Sequence, residues 1–162
     1  MPIAHISLPV SSLPGATTFY LAALKPLGYD IFMKLENTVG LTIKYDGPDF
    51  WLHQCPSSQD KETQKTHIAF KGNSQNAVRD FYQAALKAGA TDNGPPGERP
   101  QYTKGYYAAY VLDLDGNNIE CVYYQPWWLS ALQVAPMLVG GLAVAGLAWW
   151  GGRSGWGFVV LD

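Results

Sequence analysis

Apolar and polar positions alternate from the start of the chain. In residues 3–10, IAHISLPV, Ala4, Ile6, Leu8 and Val10 fall on one face and Ile3, His5 and Ser7 on the other, the period of a strand. The period then changes. Ala16, Phe19, Tyr20, Ala23, Leu24 and Leu27 recur at helical spacing. Ser11-Ser12 ahead of Pro14 suits a capped helix start, and Gly28 suits a stop. Three short strands are predicted next, at about 29–36, 39–45 and 49–54, with turns at Glu36-Asn37 and Tyr45-Asp46-Gly47-Pro48. Residues 56–65, PSSQDKETQK, are polar and read as a linker.

The pattern then begins again. Thr66-His67-Ile68-Ala69-Phe70 predicts a strand with histidine where the first strand has His5, and Asn73-Ser74 suits a second helix cap. The helix behind it carries Phe81-Tyr82-Gln83-Ala84-Ala85-Leu86-Lys87, against Phe19-Tyr20-Leu21-Ala22-Ala23-Leu24-Lys25 in the first. One constant offset relates His5 to His67, Phe19 to Phe81 and Lys25 to Lys87, so a whole module is repeated. Residues 92–101, DNGPPGERPQ, read as a long turn-rich loop. Residues 106–112 and 118–124 read as two strands joined by Asp113-Leu114-Asp115-Gly116-Asn117, where Asp-Gly marks the turn and the aspartates shape it. The sequence therefore predicts an α+β fold: two tandem βαβββ modules forming a curved mixed sheet around a cavity. Matching the last strands sets Phe50-Trp51-Leu52-His53 against Asn117-Asn118-Ile119-Glu120, which makes His53 the expected counterpart of Glu120.

Glu120 lies between Ile119 and Cys121. A carboxylate in so apolar a setting is costly unless it is paired or bound to a cation. Two modules related by a pseudo-two-fold axis would bring His5, His67, Glu120 and His53 to one cavity, using all three histidines of the chain. A single strand histidine is more often structural, but two at equivalent repeat positions beside an apolar-flanked glutamate favour ligands. Imidazole nitrogen and carboxylate oxygen suit one divalent ion, Zn, Ni, Fe, Co or Mn. Two histidines and one carboxylate leave positions open for water or substrate, which the ion can activate as a Lewis acid. Glu120 is then both ligand and candidate proton acceptor. Trp51, Arg99, Tyr102, Tyr106 and Tyr107 are candidates for lining a substrate pocket, with Arg99 suited to an anionic group.

Composition narrows the partners. The 162 residues suffice for one domain and a tail, and a net charge of −2 gives no footprint for nucleic acid. Aromatics at 14% suggest an aromatic-lined surface as well as a core. Cys55 and Cys121 read as buried free thiols, and the chain opens on a strand rather than a basic leader. The domain, 1–125, is therefore expected in a reducing, cytoplasmic setting. Residues 126–162 stand outside the repeat. Trp127-Trp128 and Trp149-Trp150 bracket an uncharged stretch, LSALQVAPMLVGGLAVAGLA at 129–148. About 20 helical residues span a bilayer core, and paired tryptophans suit its interfaces. This tail is expected to form a hydrophobic C-terminal helix, either a transmembrane anchor or a helix docked on the domain or across a homodimer, with a non-native extension as the third alternative.

The paired modules resemble the vicinal oxygen chelate superfamily, which includes glyoxalase I, fosfomycin-resistance thiol transferases, extradiol dioxygenases and bleomycin-resistance proteins. The resemblance covers about residues 1–125 and rests on His5, on Thr66-His67-Ile68-Ala69-Phe70 and on Asp113-Leu114-Asp115-Gly116-Asn117-Asn118-Ile119-Glu120. It implies metal ligands from the first and last strands of the modules, which fall on His5, His67 and Glu120 with a fourth near His53. His53 departs from the glutamate that glyoxalase I usually has there. Three functions stay open: a metal-dependent lyase, isomerase or transferase of glyoxalase type acting on a small oxygenated substrate; a metal-free small-molecule binding module; and an Fe(II) extradiol-type dioxygenase.

Overall fold

The computed structural model describes residues 3–43, 47–55 and 65–126. Within them the two halves fold alike. The first half runs β1 (Ile6–Val10), α1 (Leu13–Leu24), β2 (Asp30–Leu35), β3 (Thr38–Thr42) and β4 (Phe50–Gln54). The second runs β5 (His67–Lys71), α2 (Gln75–Lys87), β6 (Thr91–Glu98), β7 (Tyr106–Leu112) and β8 (Asn118–Tyr124). Strand order is β1-β4-β3-β2 in one four-stranded sheet and β5-β8-β7-β6 in the other. In each, the first and last strands are parallel and the rest antiparallel. The repeat in sequence is thus a repeat of topology.

Local chemistry sets the element ends. Ser12 Oγ accepts from the Gly15 N–H and Ser74 Oγ from the Ala77 N–H, each capping its helix. Pro26 has no N–H to continue α1, so the chain tightens into a 3-10 turn over Lys25–Leu27 and leaves through Gly28 at φ 88°. The loop expected at 92–101 is, over Thr91–Glu98, the edge strand β6. Pairing with β7 overrides its turn-rich composition. An edge position tolerates Pro95 and Pro96, and the ladder shifts register on both sides of Gly94, whose φ is 150°.

One continuous sheet around one cavity, as expected, is not formed: among the described residues two sheets share a core instead. Phe19, Tyr20, Leu24, Phe50 and Leu52 of the first module pack with Phe70, Val78, Phe81, Val111 and Ile119 of the second. Phe50 meets Phe70 edge-on at 5.2 Å, and α1 packs on α2. The Asp113 turn adds a polar tie. Its buried carboxylate accepts from the Asp115 and Asn117 N–H groups at Oδ1, and from Asn117 Nδ2 and the Tyr20 hydroxyl at Oδ2. The Tyr20 bond, 2.6 Å, joins α1 to the turn that leads into β8. Burial, then the Asp113 charge, pushes the Tyr20 phenol far above its ordinary pKa.

The hydrophobic C-terminal helix and the membrane span expected at about 129–148 lie outside the described residues. Among the described residues no helix is long and apolar enough to cross a membrane.

Candidate functional site

Strand register decides which side chains meet. In β5 and β8, Ala69 faces Glu120 and His67 faces Asn118; on the other side of β8, Tyr110 faces Glu120 and Tyr106 faces Tyr124. Strand alternation puts all of these on one face. On that face His67, Tyr106, Tyr110, Asn118 and Glu120, together with Tyr102 from the loop before β7, line a cavity of about 370 Å³. The first module has its own cavity, of about 390 Å³, lined by His5, Ser7, Thr38, Pro48, Trp51 and His53. The two cavities have no lining residue in common.

Glu120 is only 3% exposed, and both its oxygens are engaged. Tyr106 donates its hydroxyl to Oε1 at 2.6 Å, and His67 Nε2 lies 3.1 Å from Oε2. The carboxylate acts back on its neighbours. Burial, then the hydrogen bond to Glu120, holds the Tyr106 phenol well above its usual range. Burial, then the Glu120 charge, pushes Tyr110 up to about 12. Burial, then the same charge, pushes the Cys121 thiol up to about 12, so that buried thiol is inert near neutral pH. Cys55 and Cys121 are both free thiols, as the sequence suggests.

The expected four-residue cluster does not form within one chain. His67 meets Glu120, while His5 and His53 line the other cavity, and among the described residues no three His, Cys, Asp or Glu side chains converge. The physical reason is the split sheet, which gives each module its own face. The His67–Glu120 pair still fits a metal as half a site. Two neighbouring ligands with bonds of about 2.1 Å on one ion stand about 3 Å apart, close to the 3.1 Å between Nε2 and Oε2.

Register also corrects the expected match of His53 with Glu120. Ser7 repeats as Ala69, and Ser7 faces Trp51 where Ala69 faces Glu120. Trp51 is therefore the counterpart of Glu120, and His53, opposite Pro9, lies two residues beyond it. His53 Nδ1 is 2.8 Å from Ser7 Oγ.

The expected pocket residues divide. Tyr102 lines the Glu120 cavity and Trp51 the His5 cavity. Tyr107 does not line either: it is buried on the opposite face of β7, with the Arg79 guanidinium 5.1 Å from its ring centre. Arg99 stands 5.6 Å over the Tyr110 ring and donates to the carbonyls of Pro95 and Glu98, so it braces β6 against β7. Tyr110 and Asn118 were not singled out in the sequence. Their signal was the period of two, since Tyr106 and Tyr110 alternate with Tyr107 along β7 and Asn118 shares a face with Glu120.

Comparison with known proteins follows the fold. Residues 2–121 match the model of the Glyoxalase/Bleomycin resistance protein/Dioxygenase superfamily. No match was found among curated proteins. A glyoxalase/bleomycin resistance protein from Albidiferax ferrireducens is similar in structure, with a TM-score of 0.62 at 24% identity over 76% of this chain and 98% of that one. A glyoxalase/bleomycin resistance protein/dioxygenase family enzyme from Burkholderia phytofirmans gives 0.60 at 17% identity over 77% and 100%. A glyoxalase-related enzyme from Fulvimarina pelagi gives 0.60 at 16% over 76% and 88%. At these identities the structural likeness speaks for the fold alone. With a family model matched along most of its length, a duplicated module and a histidine–glutamate pair on the second sheet, this chain belongs to the Glyoxalase/Bleomycin resistance protein/Dioxygenase superfamily.

Proposed function

We propose that the chain binds one divalent metal and a small oxygenated substrate, and acts as a metal-dependent lyase, isomerase or transferase of glyoxalase type. The observation that carries this reading is the His67–Glu120 contact: two ligand-type atoms 3.1 Å apart at the floor of a tyrosine-walled cavity. His5 is the third ligand of the set. Because His5 lies in the other cavity of its own chain, the set closes between two copies, with His5 of one facing His67 and Glu120 of the other. Exposed apolar side chains support such a contact. Leu35 and Ile3 are 58% and 67% exposed, and Met33 faces Gly40 on the strand beside Trp51. Burial against a second copy removes them from water.

When bound, the metal supplies Lewis-acid polarisation of a substrate oxygen. The chain's own residues do the rest. Glu120 is ligand and proton acceptor, and Tyr106 holds its second oxygen so that the carboxylate cannot swing. Tyr102 and Tyr110 wall the substrate space from one module and Trp51 from the other. Residues 1–125 form the working domain in this reading, and 126–162 are a separate tail. The metal is drawn from Zn, Ni, Fe, Co and Mn, the ions that suit imidazole and carboxylate.

A metal-free binding module is the second reading. It is favoured by one fact: Tyr106 and His67 already satisfy both Glu120 oxygens. Elemental mass spectrometry on the full chain, purified without chelator or histidine tag, separates the two. The proposal expects about one divalent ion per chain, lost in Glu120→Ala. That ion then sets the substrate screen, hemithioacetals for Zn or Ni and catechols with dioxygen uptake for Fe(II). No metal after reconstitution, with ligand binding indifferent to chelator, overturns the proposal in favour of the binding module.

A further inference from the structure

The ladders set His53 two residues beyond the position that corresponds to Glu120. Trp51 faces Ser7 on one side and Gly40 on the other, just as Glu120 faces Ala69 and Tyr110. The place of the carboxylate in the second module is thus filled by an indole in the first. Gly40 makes room for it: a Cβ there would lie 2.9 Å from Pro48 Cβ and 3.1 Å from two atoms of the Trp51 ring. An indole has an N–H donor and no lone pair to offer a metal. His53 corresponds instead to Val122, an apolar position of the second module.

His53 nevertheless has a defined partner. Its Nδ1 stands 2.8 Å from Ser7 Oγ, and Ser7, Trp51 and His53 line one cavity with His5. In a neutral imidazole the partner of one ring nitrogen decides what the other presents. With Nδ1 turned to Ser7, Nε2 is the nitrogen left for the cavity.

We infer that His53 is a substrate-directed residue held off the metal, and that Ser7 is its positioning residue. Ser7 Oγ accepts from Nδ1–H, and Nε2 accepts a hydrogen bond from a hydroxyl of the bound substrate. This rests on the proposed ligand set of His5, His67 and Glu120, and it gives His53 separate work. The substrate that follows carries a hydroxyl that reaches Nε2 in the His5 cavity.

Two measurements on the full chain test it. Nitrogen-15 NMR of the metal-free protein, at a pH above the ordinary imidazole pKa of about 6.5, reads the tautomer. The parent shows His53 as Nδ1–H, Ser7→Ala mixes the tautomers, and Ser7→Thr restores the parent signal. Metal titration then compares variants: His53→Ala keeps the parent stoichiometry and affinity to within about threefold, whereas losing a true ligand or its orienting partner weakens binding by about tenfold or more. An Nε2–H tautomer in the parent, a tautomer indifferent to Ser7, or metal binding lost in His53→Ala overturns the inference. A parent that takes up no metal overturns the proposed function instead, and the tautomer alone then decides the Ser7–His53 pair.

Discussion

Replacing Tyr20 by phenylalanine removes one hydroxyl and leaves the ring in place. The ring keeps its edge-on contacts with Phe19 and Phe50, both at 5.0 Å between centres. What is lost is the 2.6 Å hydrogen bond to buried Asp113. A hydrogen bond to a charged group contributes about 1.5–3 kcal/mol. Asp113 Oδ2 retains its bond from Asn117 Nδ2, so the lower half of that range applies, about 2 kcal/mol. That lowers Tm by roughly 4–8 °C. Tyr29→Phe is the control. Its hydroxyl donates to Asp49 at 3.1 Å on the surface, and its loss costs under about 0.5 kcal/mol.

The same pair of proteins gives a pH signature. The Tyr20 pKa is raised in the folded state, by burial first and by Asp113 second. The unfolded tyrosine loses its proton near pH 10, while the folded one keeps it. The folded state then binds more protons, so stability is complete below about pH 10 and falls above it, by up to about 1.4 kcal/mol per pH unit. Tyr20→Phe lacks that share of the alkaline slope. Urea melts of parent and Tyr20→Phe from pH 7 to 11 measure both effects, with Tyr29→Phe as the control at pH 7, since burial and then Asp49 raise the Tyr29 phenol as well. A Tyr20→Phe cost under about 0.5 kcal/mol, or an alkaline slope equal to that of the parent, refutes the buried tie between the modules.

Tyr106→Phe removes the second partner of Glu120 without touching His67. Metal affinity in a competition titration falls about 10–100-fold, while Glu120→Ala abolishes binding. Gly40→Ala forces a Cβ against Pro48 and the Trp51 ring, costs about 1–3 kcal/mol by overpacking and shifts tryptophan fluorescence. A Gly40→Ala protein with parental stability and emission would show that the indole does not lie against β3.

The repeat was legible because its signals are local. Two histidines head two strands, and Phe-Tyr followed by Ala-Ala-Leu-Lys recurs in two helices, with Phe19, Tyr20 and Ala23 buried in one and Phe81, Tyr82 and Ala85 in the other. β6 was not legible, since Gly94-Pro95-Pro96-Gly97 is turn chemistry and only the β7 ladder makes it a strand. The match of His53 to Glu120 failed for a related reason. The two modules have loops of different length, and a slip of two residues keeps a side chain on the same face, so periodicity alone cannot detect it. The division into two sheets was hidden as well. It depends on contacts far apart in sequence, Tyr20 with Asp113 and Phe50 with Phe70. The glutamate was the best-read feature: its apolar flanks called for a partner, and His67 and Tyr106 are there.

Complementation between two damaged chains tests the shared site most directly. One full-length chain carries His5→Ala, the other His67→Ala with Glu120→Ala, and the two are unfolded and refolded together. A site built across two copies has one intact set in each mixed dimer, and random refolding makes about half the dimers mixed, so metal binding absent from either protein alone returns in the mixture at about a quarter of the parent's amount. If the parent binds metal and the mixture does not, the ligands come from one chain, and the shared site is contradicted.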